Sequence, residues 1–341
     1  MPATIIDVAT LAGVSTKTVS RVVNDESGVS PATRERVLAA VRATGYAPDP
    51  AARSLRTGRS HSIGLAVPEL GQPFFAEIAD RIAQAARSRG LGLVLGVTGE
   101  QGEGEAAFLE RNPGLDGTIL YWQGLSAARL SAEAARRPLV VIGEYDHHAV
   151  DRVTMDNARG ITLALEHLLA LGRERLAVIG PPEPGVRAHA AARRRTAALR
   201  DALAAHGLTL DERLLVPSAE WRRPDGARCA RRLLDQEVPF DAVLAFNDGL
   251  ALGALAELRA AGVRVPDDVA VTGFDNLDAS RYSFPSLTTV SPRLASYAVH
   301  AVDLLVARIE DPSRAPRTEV AGVTLMPRDS TIGGGALWLS R

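Results

Sequence analysis

TIIDVATLAGVSTKTVSRVVNDESGVSPATRERVLAAVRATGYAPDPAARSLRTGRS, residues 4–60, carries helix start signals at short intervals. Thr4 followed three residues later by Asp7 is a capping-box start, and Ile6, Val8, Ala9 and Leu11 supply an apolar stripe behind it. Gly13 allows a tight turn. Ser15 caps a second helix whose inward residues are Val19, Val22 and Val23, which leaves Thr16, Lys17, Ser20 and Arg21 on the opposite side. Ser30 followed by Pro31 is an N-cap with an N1 proline, and Arg34 to Val41 supplies a helix with Val37, Leu38 and Val41 apolar before Gly45 ends it. Asp49 and Pro50 repeat the start signal for Ala51 to Arg56, a stretch ending near Gly58 that is too short to be a stable helix alone. The segment therefore reads as a compact three-helix unit with a helix-turn-helix, followed by a short basic hinge. The polar side of its second helix is the side a DNA major groove would meet.

Charge placement agrees with a polyanionic partner at this end. Residues 1–60 hold eight Lys/Arg against five Asp/Glu, a net of +3, in a chain whose total is −1, so the remaining residues sum to −4. At 341 residues the chain is too long for one ordinary core and implies a small domain plus one or two larger ones. With 46% hydrophobic and 23% charged residues, no apolar run of eighteen and no signal-peptide order at the N-terminus, it reads as a globular protein of the cytoplasm. The single cysteine, Cys229, excludes internal disulfides and cysteine-rich zinc sites, and reads as an ordinary helix residue.

From Ile63 onward short apolar runs alternate with amphipathic, alanine-rich stretches. IGLAVP (63–68), LGLVLGV (91–97), GTILY (117–121), PLVVIG (138–143), RLAVIG (175–180), DAVLAF (241–246) and VAVTGF (269–274) read as buried parallel strands bounded by Gly and Pro. Right-handed crossovers place helices on both faces, and the number of runs calls for two doubly wound sheets. The break between them falls near Asp156 to Gly160, with PSLTTVSP (285–292) as a second crossing. A ligand would sit beyond the carboxyl ends of the strands. Asn247 and Asp275 directly follow two of these strands, which puts their side chains at such an end. Asp248, one residue further, reads as a helix cap.

Eight ordered blocks, DVATLAGVSTKTVSRVVN, YAPDPAARSLRTGRS, QPFFAEI, VTMDNARG, FNDGLALGAL, VTGFDN, PSLTTVSP and MPRDST, resemble the pattern of the LacI/GalR family of bacterial transcriptional regulators. The resemblance implies an α/β protein with an all-α helix-turn-helix head (1–48), a hinge helix (49–60) and an effector-binding and dimerisation domain (61–341). That domain would comprise two periplasmic-binding-protein-like subdomains, one of about 61–158 and 289–322, the other of about 159–288 and 323–341. It also implies a homodimer on near-palindromic double-stranded operator DNA. Effector and DNA would then be reciprocally coupled through the two lobes. The tail IGGGALWLSR (332–341) is too short and glycine-rich for a leucine heptad coil, which favours a dimer over a larger assembly.

By the same resemblance Thr16, Lys17 and Arg21 occupy base-reading positions, arginine being able to bond G O6 and N7 bidentately. Ser15 and Asn24 would touch phosphate, positioning the head without reading sequence. In the hinge, Leu55 corresponds to a wedge in the minor groove with Ala52 beside it, and Arg53 and Arg56 lie near phosphates. In the cleft, Arg195 aligns with an arginine that holds an effector hydroxyl or carboxylate, although Ala198 and Leu199 replace the glycine and aromatic that usually follow. Trp221 resembles an aromatic lying on a ligand face, and Phe74 and Phe75 match an aromatic pair at the mouth of the first lobe, with Phe74 facing the effector and Phe75 structural. His147 and His148, an adjacent pair, lack metal-site spacing and read as surface loop, so neither metal nor cofactor is called for.

Three function classes remain in view at this stage. The first is a repressor of carbohydrate genes whose effector is a sugar, with a purine, nucleoside or other polar metabolite as the open alternative for the ligand. The second is a solute-binding protein on the same scaffold. The third is an enzyme using Asp275 or Glu144 as base, against which stands the lack of a nucleophile–base pair, a phosphate-cradling glycine loop or a metal cluster.

Overall fold

The computed structural model describes residues 3–24, 26–46, 58–99, 101–144, 149–183 and 190–333. Met1–His61 and Ser62–Arg341 form two compact units. In the first, α1 (Ile5–Ala12), α2 (Thr16–Val23) and α3 (Pro31–Thr44) surround a small core of Val8, Ala9, Ala12, Val19, Val22, Val37 and Ala40. The capping box forms as its spacing requires, with the Thr4 amide donating to Asp7 Oδ2 at 2.7 Å and the Asp7 amide donating to Thr4 Oγ1 at 3.4 Å. Gly13 and Gly45 both end helices at φ of 64°, in the left-handed region that glycine enters without a Cβ penalty.

The α1 stripe differs from the sequence reading. Ile6 and Leu11 are 63% and 59% exposed, and Ala12 takes their place inside. At about 100° per residue, Val8, Ala9 and Ala12 share a narrow arc, while Ile6 and Leu11 each stand roughly 110° from its centre. Leu38 on α3 likewise faces outward and Ala40 inward. The third helix begins at Pro31 because a proline at N1 has no amide to leave unpaired.

The second unit contains two six-stranded sheets. The first uses β1 (Ser62–Val67), β2 (Gly92–Val97), β3 (Gly117–Tyr121), β4 (Leu139–Ile142), β5 (Asp151–Met155) and β11 (Thr318–Ala321) in the order β11-β5-β4-β3-β1-β2, all parallel. The second uses β6 (Leu176–Ile179), β7 (Leu215–Val216), β8 (Ala242–Ala245), β9 (Ala270–Phe274), β10 (Thr288–Ser291) and β12 (Thr324–Met326) in the order β12-β10-β9-β8-β6-β7, with β12 antiparallel to β10. The two orders match position for position, a structural repeat with no counterpart in the residue pattern. Each sheet reverses strand order beside its first strand, and such switch points open a crevice at the carboxyl ends.

The chain passes between sheets three times. Asp156 accepts from the Arg159 amide at 2.9 Å and starts the helix Asn157–Ala170, which packs on β10 and β12 of the second sheet. Gly160 of this helix lies so close to Phe274 that a Cβ there would stand 2.5 Å from the ring. The return comes after Ser291 rather than at 289, because β10 pairs with β9 and only the helix Leu294–Glu310 goes back to pack on β3, β4 and β5. The last passage, at Gly322, links β11 to β12.

Candidate functional site

On α2, Thr16, Lys17 and Arg21 are exposed while Val19 and Val22 hold the inner side. Neither Lys17 nor Arg21 has a hydrogen-bond or ion-pair partner among the described residues, so both cationic side chains are uncommitted to the fold. Ser15 Oγ accepts from the Thr18 amide at 3.2 Å and therefore caps the helix as well as standing exposed at its amino end. Asn24, half-buried at the other end, donates to Ser20 Oγ at 3.2 Å. Helix α2 thus presents a polar face and an amino terminus with positive dipole, the geometry of a major-groove reader. Ala52, Arg53, Leu55 and Arg56 lie outside the described residues, as do His147 and His148.

In the second unit the carboxyl ends of both sheets face one cavity of about 300 Å³. Phe74, Arg195, Trp221, Asn247 and Asp275, separated by up to two hundred positions in the chain, all line it. So does Phe75, which is buried in the core with one edge on the cavity and packs edge-to-face on Tyr121 at 4.9 Å. Trp221 is fixed rather than swinging, its Nε1 donating to the Gly180 carbonyl at 3.1 Å and its ring standing at 67° to Phe246.

Arg195 organises the floor. Its Nε donates to Asn157 Oδ1 at 2.8 Å, its Nη1 to the Phe246 carbonyl, and its guanidinium carbon lies 3.6 Å from the Phe274 ring centroid. Asp275 Oδ1 stands 3.9 Å from Nη2. Burial raises the Asp275 carboxyl well above its ordinary range despite that guanidinium, and burial lowers Arg195 from its own. Asp275 also adopts φ of 117°, a strained value for a non-glycine residue, and its amide donates to Val290 at 2.9 Å.

Two neighbouring residues exchange the roles that the sequence suggests. Asn247 is the N-cap of the helix Asp248–Ala260: its Oδ1 accepts from the Leu250 amide at 2.8 Å, and its Nδ2 donates to the Trp221 carbonyl at 3.0 Å. Asp248 does not cap. It is wholly buried and accepts from the Leu277 amide, from Ser280 Oγ and from Thr289 Oγ1, pinning the loop that carries Asp275. The cap position has extended backbone, and Asn247 rather than Asp248 has it, with φ of −150°. Burial pushes Asp248 up to about 6, against the pull of its three donors.

The first lobe contributes residues that sequence reading left out. Glu69, Gln72, Tyr121, Gln123 and Tyr297 line the cavity, as does Glu144, considered above only as a base. Glu144 accepts from Thr154 Oγ1 and Asn157 Nδ2 at 2.6 Å each and from the Met155 amide at 3.1 Å, while burial raises its carboxyl above the usual range. Gln123 is held by Glu105, a fully buried carboxylate that accepts from the amides of Gln123, Gly124 and Leu125 at 2.6 to 3.1 Å. Glu69, Tyr121 and Glu144 all follow β1, β3 and β4 closely, the same signal that marks Asn247 and Asp275. Tyr297 has no such signal; it lies inside a helix, its hydroxyl donating to Val153 at 3.0 Å and accepting from Gly143 at 2.9 Å.

The lobes also touch directly. Arg222 Nη2 meets Glu69 Oε2 at 2.8 Å while Gln72 donates to Glu69 Oε1 at 2.9 Å, and the Asp278 amide donates to Glu77 at 3.1 Å. Cys229 is buried in the helix Arg223–Asp235, with its thiol pushed up to about 11 by burial. Among the described residues no group of three His, Cys, Asp or Glu is arranged to hold a metal ion.

A helix-turn-helix with an uncommitted cationic face and a two-lobed clamshell closing on a polar and aromatic cavity define a ligand-controlled DNA-binding regulator. Residues 4–49 match the family described as bacterial regulatory proteins, lacI family, and residues 165–331 match the periplasmic binding protein-like domain. The HTH-type transcriptional regulator CelR of Thermobifida fusca is 36% identical over 338 residues, 95% of this chain and 96% of that protein. The solved complex of the transcriptional regulator CelR with cellobiose superposes with a TM-score of 0.71 at 33% identity, covering 96% of this chain and 99% of that one. The lac repressor dimer bound to operator and the anti-inducer ONPF gives 0.81 at 27% identity, covering 97% and 99%. The chain belongs to the lacI family of bacterial regulatory proteins and is a DNA-binding transcriptional regulator. Members of that family are regulators, not enzymes, and among the described residues no helix is long and apolar enough to cross a membrane.

Proposed function

We propose that this regulator acts in the cytoplasm as a repressor of carbohydrate uptake or catabolism genes, and that the ligand of its cleft is a neutral sugar. The observation that carries this is the charge and shape of the cavity. Its lining holds four carboxylates, Glu69, Glu144, Glu220 and Asp275, against two guanidinium groups, Arg195 and Arg222, each already set against a carboxylate. A phosphate or carboxylate ligand would meet excess negative charge, whereas a polyol meets hydrogen-bonding groups at every side. Phe74 and Trp221 supply flat apolar walls of the kind that cover a pyranose face. The cellobiose complex of a relative of near full-length similarity agrees with this reading. A thermal-shift screen tests it: neutral sugars raise the melting temperature, and sugar phosphates and nucleosides do not. A nucleoside that stabilises the protein while sugars fail would overturn it.

On DNA, the proposal assigns base reading to Thr16, Lys17 and Arg21, and phosphate contacts to Ser15 and Asn24. It gives the minor-groove wedge to Leu55 beside Ala52, with Arg53 and Arg56 at phosphates. Two chains pair to place two heads on a near-palindromic operator. The exposed apolar residues Leu95 and Val97 on the edge strand β2, with Tyr282 and Phe284 at 75% and 83% exposure, supply surface for that pairing. Sedimentation reads the dimer directly, and Phe284→Glu is expected to shift it toward monomer.

A further inference from the structure

The 300 Å³ cavity does not end at Trp221. A second chamber of about 250 Å³ adjoins it and shares Gln72, Phe74, Trp221, Arg222 and Asn247 as common wall. Its remaining lining is Gly71 and Pro73 from the first lobe, with Arg223, Pro224, Gly249 and Leu277 from the second. The two chambers differ in chemistry. Glu69, Glu144, Glu220 and Asp275 all belong to the inner one, while the outer one has no carboxylate and is walled by proline, leucine, glycine and the rings of Phe74 and Trp221. At their junction stands Arg222, which faces both and is held by Glu69 across the lobes at 2.8 Å. Ligand sites for molecules of ordinary size run from about 300 to 1,000 Å³, so the inner chamber alone sits at the lower limit.

We propose that the ligand of this regulator has two units: a polyol ring in the inner chamber, and a second ring or apolar aglycone in the outer chamber between Pro73 and Pro224, joined past Arg222. This rests on reading the cleft as a neutral sugar site. Arg222 and Glu69 then act as specificity-determining residues, because their pair lines the junction that only a two-unit ligand occupies in full. The outer chamber selects for length and apolar surface, the inner one for hydroxyl pattern.

Calorimetry on the intact protein tests this with a panel of hexoses, their methyl glycosides, their p-nitrophenyl glycosides and the corresponding disaccharides. A disaccharide or p-nitrophenyl glycoside is expected to bind about tenfold or more tightly than its parent hexose. Gly71→Trp, which fills the outer chamber from an exposed rim position, is expected to remove that advantage while leaving hexose affinity within about twofold. Arg223→Trp approaches from the opposite wall and serves if the first variant folds poorly. Equal binding of hexose and disaccharide overturns the two-unit ligand while the sugar reading stands. Equal loss of both ligands in the two tryptophan variants also overturns it. If no sugar of either length binds, the sugar reading and this inference fall together.

Discussion

The face of α2 and the floor of the cleft are both polar binding surfaces, yet they differ in what their side chains already do. Lys17 and Arg21 stand exposed with no partner among the described residues, while Arg195 is 3% exposed and bonded to Asn157, Phe246 and the Phe274 ring. A groove reader must offer charge that the fold does not consume, because phosphate and base edges supply the partners. A cavity buried between two sheets has no such freedom, since an unpaired charge there costs several kcal/mol. The head therefore separates stability from recognition, and the cleft merges them. Substitutions on α2 should change binding and spare the fold; substitutions in the floor should change both.

Arg195→Ala is the most severe test of that contrast. It leaves Asp275, Asn157 Oδ1 and the Phe246 carbonyl facing an empty space, and breaking a buried charged pair in this way costs roughly 3–5 kcal/mol. Chemical denaturation of the intact protein is expected to show that loss, with ligand binding abolished in the same variant. A loss of stability below about 1 kcal/mol would place Arg195 with the uncommitted residues of the head.

Asp248→Asn probes the same floor through pH. The native carboxyl is raised to about 6, so the folded state holds a proton that the unfolded chain releases near 3.8. Its contribution to stability is complete below the unfolded value and is lost as pH rises through about 6. The asparagine variant lacks this dependence, so relative to the parent it should gain up to about 3 kcal/mol between pH 4 and pH 7, a shift of some two units being worth that much. Denaturation at a series of pH values measures the difference. A gap between the two proteins that stays flat across this range would mean that Asp248 is ionised throughout.

The same contrast explains what the sequence discloses. The head is legible because its signals are local: Thr4 with Asp7, Ser15 with Thr18 and Ser30 with Pro31 each act within four residues. The strands IGLAV, GTILY and LVVI are legible because both their faces are buried, and unbroken apolar runs result. Strand β5, DRVTM, escapes because its buried polar residues are neutralised by distant partners: Asp151 accepts from Arg308 Nε at 2.9 Å and from the Arg317 amide at 2.8 Å. Five of the cleft residues were accessible through family pattern and strand-end position. The exchange between Asn247 and Asp248 was not, since which of two adjacent residues caps a helix depends on a backbone angle and on Leu277, Ser280 and Thr289 far along the chain.

Arg21→Ala sharpens the other side. Loss of a bidentate guanine contact removes about 1–3 kcal/mol of discrimination, so specific operator binding should weaken toward the salt-sensitive level of nonspecific DNA. Thermal stability should hold within about 0.5 kcal/mol, as for a surface residue without partners. A shift assay against scrambled competitor, run beside a denaturation curve, reads both quantities. Unchanged discrimination would remove Arg21 from the base-reading set.

Ser15 is where the contrast is hardest to maintain, because one hydroxyl in the head serves the fold and faces outward as well. Ser15→Ala deletes the cap on Thr18 and should cost about 1 kcal/mol of local stability, visible as faster amide exchange in Thr16–Val23. Ser15→Asp restores an acceptor and suits the positive end of the helix, so protection of those amides should return. Its negative charge would also lie against DNA phosphate if Ser15 contacts the backbone, and operator affinity should then fall below that of the alanine variant at low salt. Recovery of both protection and affinity in the aspartate variant would make Ser15 a helix cap with no phosphate role, and the separation of fold from recognition in the head would then extend to every position on α2.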